Sequence, residues 1–156
     1  MNINTLEIID YNDSLKSYIK TLNYEWLEAY FRLEQSDITS LSDPKGEILD
    51  KGGFIYFARL NTNIIGTVSL LKKTNTIYEI GKMAVSKHAQ GLGIGTLLLE
   101  HCLQVAQEKN ILKLVLYSNT KLKSALHLYT KYGFIETELE TGLYDRADIK
   151  MEKTIG

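Results

Sequence analysis

Apolar positions recur along the chain in two periods, one near two residues and one near 3.6, and the switch between them divides it into elements. "LEIIDY", Leu6 to Tyr11, predicts a short strand. In "LKSYIKTLNYEWLEAYF" the residues Leu15, Tyr18, Ile19, Leu22, Trp26, Leu27 and Tyr30 fall on one helical face, with Asp13 or Ser14 as cap. "SDPKGEILDKGG" predicts a second, short helix: Asp43 suits the N-cap, Pro44 the first helical position and Gly52 the stop. "FIYFARL" and "IIGTVSLLK" are strands joined by the polar turn "NTN", and "TIYEIGKMAV" is a third. A helix then runs from about Gly93 to Lys109 on the stripe Ile94, Leu97, Leu98, Cys102, Val105 and Ala106. "ILKLVLYS" is apolar almost throughout, the mark of a strand buried on both faces. "KLKSALHLYTKY" is a helix stopped at Gly133, and "FIETELE" and "RADIKMEK" close the chain as strands.

The resulting order, β-α-α-β-β-β-α-β-α-β-β, is a mixed α/β domain whose first half is antiparallel and whose second half holds βα crossovers. No linker, repeat or low-complexity tract breaks it, so residues 1–156 read as one domain. With 44% hydrophobic residues, the chain can close a sizeable core. A net charge of -1 gives no electrostatic reason to expect nucleic acid or an anionic membrane as partner. The N-terminus does not read as a signal peptide, and no apolar run approaches the roughly 20 residues of a membrane span. One cysteine, Cys102, excludes an intrachain disulfide, and its place on the apolar stripe predicts a buried, inert thiol. His88, His101 and His127 show no metal-ligand spacing, so no metal is expected. Together these features fit a cytoplasmic protein.

The chemistry concentrates in "QGLGIG", residues 90 to 95, between a strand and a helix. A helix start offers unpaired N–H groups and the positive end of its dipole, and side-chain-free residues let an anion approach them. Alternating Gly91, Gly93 and Gly95 therefore predict either a tight turn or an anion cradle. The P-loop pattern fails, because no Lys-Ser or Lys-Thr follows the glycines. The dinucleotide fingerprint fails too: the spacing is G-x-G-x-G, and "LYSNT" puts no acidic residue at the end of the next strand.

The pattern Q-x-x-G-x-G, met by Gln90, Gly93 and Gly95, resembles that of the GNAT superfamily of acetyl-CoA-dependent N-acetyltransferases. The resemblance takes in "YEIGKMAV", the glycine loop, the helix after it, "LVLYSN" and "SALHLYTKYGF", about residues 77 to 136. It implies acetyl-CoA as cosubstrate, its diphosphate on Gln90, Gly91, Leu92, Gly93, Ile94, Gly95 and Thr96. It further implies a bulged strand splayed from its neighbour, with main-chain contacts from Met83, Ala84 and Val85 to the pantetheine arm. One N–H of that strand would stabilise the oxyanion. Asn119 resembles the residue that bonds the arm, the alternative being a turn role.

The reaction so implied is attack of an amine on a thioester. An alkyl amine is mostly protonated at neutral pH, and freeing its lone pair costs on the order of 4 kcal/mol without a base. Glu79, 14 residues before Gly93, has the family's spacing for that base. Strand alternation puts Glu79, Gly81 and Met83 on one face; the alternative is a solvent-facing glutamate paired with a lysine such as Lys82. Tyr129 matches the family tyrosine that protonates the leaving sulfur, the alternative being a core aromatic. Tyr132 and Phe134 read as packing. Lys121, Lys123 and Lys131 are placed to touch the CoA 3′-phosphate or are ordinary surface lysines.

Acceptor contacts in this superfamily come from the first helices and the last hairpin. Trp26, Tyr30, Phe31 and Glu34 occupy the first region, and Tyr144, Arg146 and Asp148 the second. The expectation is direct acetyl transfer in a ternary complex to a primary amine on a small molecule or peptide. The competing class is a catalytically silent CoA-binding module on the same fold. A homodimer is compatible with the family, although no apolar stripe demands one.

Overall fold

The structure is a computed structural model and describes residues 5–156. Seven strands form one sheet: β1 (Leu6–Asp10), β2 (Phe54–Leu60), β3 (Asn63–Lys72), β4 (Ile77–Val85), β5 (Lys113–Ser118), β6 (Ile135–Thr137) and β7 (Ile149–Thr154). Their spatial order is β1-β2-β3-β4-β5-β7-β6. Four α-helices cover it: α1 (Lys16–Tyr30), α2 (Gln35–Ser42), α3 (Ile94–Glu108) and α4 (Lys123–Lys131). The mixed α/β class and the antiparallel first half stand as expected; β4 and β5 are the parallel pair.

Each face of the sheet has its own core. Val68, Leu70, Ile80, Leu98, Leu99 and Leu114 belong to the larger one, under α3. Ile19, Leu27, Leu41, Ile55 and Phe57 form the other, under α1 and α2. Leu114, Val115 and Leu116 are all buried, as the unbroken apolar run of β5 requires.

The region between α1 and β2 departs from expectation. The second helix is Gln35–Ser42, upstream of the predicted segment. Its N-cap is Glu34, whose carboxylate accepts the Asp37 N–H while the Asp37 carboxylate accepts the Glu34 N–H. This reciprocal box, together with buried Leu41, holds a segment of Ser, Thr and Asp that propensity alone would not make helical. Asp43 does accept from the Gly46 N–H at 3.1 Å. Yet Lys45–Leu49 closes only one wide turn, with the Asp50 N–H on the Lys45 carbonyl at 2.8 Å. Gly52, at φ +92°, is the stop. The cap of the first helical run is Asn12, not Asp13 or Ser14: its side chain accepts from the Ser14 N–H, and a short 3-10 turn precedes α1.

The closing strands are shorter than predicted, three and six residues, and β7 inserts between β5 and β6. The connection, residues 138–148, runs back over the end of the sheet. It is tied down by Asp148, which accepts from the Thr120 N–H at 2.8 Å and the Thr120 hydroxyl at 2.7 Å.

Two irregularities in β4 set up the site. Pairing with β3 runs from Ser69↔Gly81 to Thr67↔Ala84, so three steps on β4 match two on β3. The extra residue is a bulge at Lys82, which sits at φ +52°. Pairing with β5 stops at Ile80↔Leu116, and the two strands diverge beyond it.

Candidate active site

The divergence opens a cleft of about 640 Å³ between β4 and β5, flanked by α1 and α2, the glycine loop, α4 and the 138–148 connection. Glu79 lies on its floor, 4% exposed. The Tyr144 hydroxyl donates to its carboxylate at 2.9 and 3.2 Å, and the Lys73 ammonium stands 2.9 Å from Oε1. The carboxylate is therefore buried and oriented, and its ion partner is Lys73, not Lys82. A buried carboxylate with two donors and a side open to a cleft can accept a proton from a bound amine.

The bulge corrects the expected face sharing. Glu79 pairs with Leu71 and Gly81 with Ser69, which puts both on the α1–α2 side. Met83, past the extra residue, packs into the opposite core. Met83, Ala84 and Val85 all line the cleft, in the stretch of β4 that has left β5. Their β5-side main-chain groups lie beyond the last β4–β5 pair.

At the glycine loop, Gly91 (φ +84°) and Gly93 (φ +77°) are left-handed, so both meet the demands of a tight turn. Gly93 is the N-cap of α3, and no side chain caps the first turn. Apart from chain neighbours and the backbone of α3 itself, a Cβ at Gly91, Gly93 or Gly95 would meet no atom within 4 Å. All three face the cleft, as do Gln90, Ile94 and Thr96, whereas the Leu92 side chain is 58% exposed and outside it.

Tyr129 reaches the cleft from α4, with its ring edge-on to Phe134 at 6.0 Å. Burial pushes its hydroxyl up to about 12, with a smaller contribution from Cys102. It is thus both a packed aromatic and a protonated phenol facing the site. Asn119 also lines the cleft; its amide donates to the Arg146 carbonyl at 2.8 Å and accepts the Lys121 N–H at 3.0 Å.

Of the acceptor-side candidates, Trp26, Phe31, Tyr144 and Arg146 line the cleft. Tyr30 and Glu34 do not. Tyr30 is 42% exposed and packs on Trp26, while the Glu34 side chain is occupied as the α2 cap. Asp148 is bound to Thr120. Asp37 was hidden from the sequence because the segment carrying it did not read as a helix. Arg146 forks onto Asp37 at 2.7 and 2.6 Å and so ties the closing connection to α2. Burial acts to raise the Asp37 carboxyl, but Arg146 and the Glu34 N–H outweigh it and hold it below its ordinary range. Lys82, at the bulge, donates to the Ser40 hydroxyl of α2 at 2.9 Å.

Cys102 is fully buried and its thiol is pushed up to about 12 by that burial, the inert thiol expected. His101, expected at the helix flank, lies against Tyr56 at 4.3 Å with Nε2 buried and unpartnered among the described residues. Among the described residues no cluster of His, Cys, Asp and Glu is arranged to hold a metal, and no helix is long and apolar enough to cross a membrane.

The chain is similar to known proteins along most of its length. It is 31% identical over 115 residues to streptothricin acetyltransferase A of Bacillus subtilis (strain 168), an alignment covering 74% of this chain and 64% of that protein. A GNAT-family acetyltransferase from Staphylococcus aureus Mu50 superposes with a TM-score of 0.86 at 26% identity, covering 97% of this chain and all of that one. The PaiA N-acetyltransferase of Thermoplasma acidophilum, solved in complex with coenzyme A, shares the fold, with a TM-score of 0.75 at 19% identity over 96% of this chain and 99% of that one. The sequence model of the acetyltransferase (GNAT) family matches residues 13–134, and with the splayed β4–β5 pair and the glycine-opened α3 this places the chain in that family.

Proposed function

We propose that the protein transfers an acetyl group from acetyl-CoA to a primary amine of a small molecule or peptide, by direct attack in a ternary complex. Gly95 carries the reading. It is the second residue of α3, has no positive φ, and apart from its chain neighbours and its own helix backbone has no atom within 4 Å of where a Cβ would stand. Glycine is a poorer helix former than alanine, and no contact in the fold requires it here. Its absent side chain makes room for something that comes from outside, beside N–H groups suited to an anion.

The residues fit coenzyme A. The loop from Gln90 through Gly91, Leu92, Gly93, Ile94 and Gly95 to Thr96 would hold the diphosphate on main-chain N–H groups. Met83, Ala84 and Val85 would take the pantetheine arm along the free edge of β4. Asn119, with one N–H and one lone pair left on its amide, would add a contact. Acetyl-CoA supplies an acyl group already activated as a thioester. The chain supplies proton handling: Glu79 takes the proton of the attacking amine, and Tyr129 holds one for the departing sulfur.

Trp26 and Tyr144 line the cleft together with Glu79, and aromatic faces sharing a cleft with a carboxylate would favour a cationic amine. The relative named for streptothricin makes that compound a reasonable first acceptor to try. The experiment is release of free thiol from acetyl-CoA over a panel of amines, with Glu79→Gln as control. Turnover that depends on Glu79 supports the reading. Tight CoA binding with no turnover across a wide panel overturns it.

A further inference from the structure

The charged groups on the acceptor side of the cleft leave one without a partner. Glu79 is paired with Lys73, and Asp37 with Arg146. Lys82 lines the same cleft and has no carboxylate within ion-pair distance among the described residues. Its one side-chain hydrogen bond goes to the neutral hydroxyl of Ser40. An ammonium has three donors, and taking it out of water unpaired is costly. Lys131, the other lysine lining the cleft, is exposed at the end of α4, where water serves it.

The backbone adds a second argument. Lys82 sits at φ +52°, a region where a residue with a side chain is strained. Glycine or asparagine would fill a bulge position of this kind more easily. A lysine there is best explained by its side chain, which the bulge swings toward α2 and over the α1–α2 side of the cleft. Gly81, next to Lys82, adds no side chain on the Glu79 face, where a Cβ would stand 3.2 Å from Leu71 Cδ1 and 3.4 Å from Glu79 Oε2. Burial pushes the Lys82 ammonium below its ordinary range, and Glu79 and Asp37 offset only part of this.

We propose that Lys82 is the anion-recognising residue of the acceptor site, and that the acceptor is of the amino-acid class, with a carboxylate beside its reacting amine. The amine faces Glu79 and the carboxylate faces Lys82, so the acceptor completes the pairing that the protein alone leaves open. This assignment rests on the acetyl-transfer reading above.

The test uses matched acceptors: amino acids from glycine to longer ω-amino acids, each beside its primary amide, with thiol release from acetyl-CoA as readout. Wild type should favour at least one acid over its amide by about tenfold or more in kcat/KM, the size expected of one hydrogen-bonded charge contact. Lys82→Met should remove that preference mainly through KM, and Lys82→Arg should retain it. Equal use of acids and amides by wild type, or an acid preference that persists in Lys82→Met, overturns the assignment and leaves acetyl transfer standing. CoA binding without turnover on any amine, acid or amide strikes the transfer reading itself, and this proposal with it. Mass spectrometry showing Lys82 acetylated in wild type would make the lysine an acceptor rather than a recognition group, and also overturns it.

Discussion

The Tyr144 hydroxyl donates to both oxygens of the Glu79 carboxylate, at 3.2 and 2.9 Å, across 65 residues of sequence. The bond joins the closing connection to the floor of the cleft. Glu79 also raises the Tyr144 phenol, after burial, so that the phenol stays protonated and keeps donating. The same connection is latched to α2 two residues later through Arg146 and Asp37. The base proposed for the reaction is therefore held by the segment that also borders the acceptor space.

Removing the base and removing its support should have different sizes. Glu79→Gln deletes the proton acceptor and is expected to lower kcat about a hundredfold or more. Tyr144→Phe leaves the carboxylate but loosens it, with a smaller loss in kcat. CoA affinity by calorimetry should hold in both. Equal losses would give Tyr144 a direct role in the chemistry, and an undiminished kcat in Glu79→Gln would remove Glu79 from it.

Tyr129 is expected to act as an acid across the whole working pH range. Its hydroxyl lies at about 12, so it remains protonated well above neutrality. The kcat profile should show no falling limb from this group below about pH 11. Tyr129→Phe should lower kcat without moving the limb on the acidic side. A wild-type falling limb near pH 9 that disappears in Tyr129→Phe would contradict this.

The elements of the second half were readable because each had a strong local period. The stripe of α3, the apolar run of β5 and the stop at Gly133 are local signals; the last two hold, and the stripe holds except that Leu99, not the expected Leu97, is fully buried. The glycine loop was readable for the same reason. Three features were not, each for its own reason. Helix α2 depends on Glu34 and Asp37 bonding each other's backbone, and Glu34 is a poor cap by type. The bulge at Lys82 exists only as a register difference between β3 and β4, and it moved Met83 to the other face. The Glu79–Lys73 pair depends on the register of the β3–β4 hairpin, and the Asp37–Arg146 pair joins segments 109 residues apart.

The Asp37–Arg146 pair should stabilise the fold in a pH-dependent way. Asp37 lies below its ordinary 3.8 when folded, so its contribution is complete above that value and is lost as pH falls through the lower folded value. Asp37→Asn should cost about 1–3 kcal/mol at pH 7, read from denaturant midpoints. The gap to wild type should close progressively below pH 3.8. A gap of constant size down to pH 2 would mean that the Asp37 charge stabilises the fold through neither Arg146 nor the Glu34 N–H.

Cys102 bears on how turnover is read. Its thiol is buried and pushed up to about 12, so the reactive thiolate is both scarce and covered. Native protein should leave an aromatic disulfide reagent untouched, and the same thiol should react fully in denaturant. Colour in the turnover assay then reports coenzyme A alone. Fast reaction of the native thiol would show that the core around α3 opens, and Cys102→Ala would then be needed as background.

Gly95 separates the demands of the fold from those of a ligand. Gly91 and Gly93 cannot do so, because their left-handed backbone penalises any side chain whether or not coenzyme A binds. Gly95 is helical with open space around it, so Gly95→Ala adds helix propensity and restricts the unfolded chain. Stability should rise by about 0.4–1 kcal/mol. If the open space belongs to the diphosphate, the added methyl group should at the same time weaken CoA binding by about tenfold, the loss expected when one main-chain bond to an anion is spoiled. A variant that is more stable and binds coenzyme A as tightly as wild type would mean that the glycine serves neither the turn nor the cofactor, and the anion cradle would lose its main support.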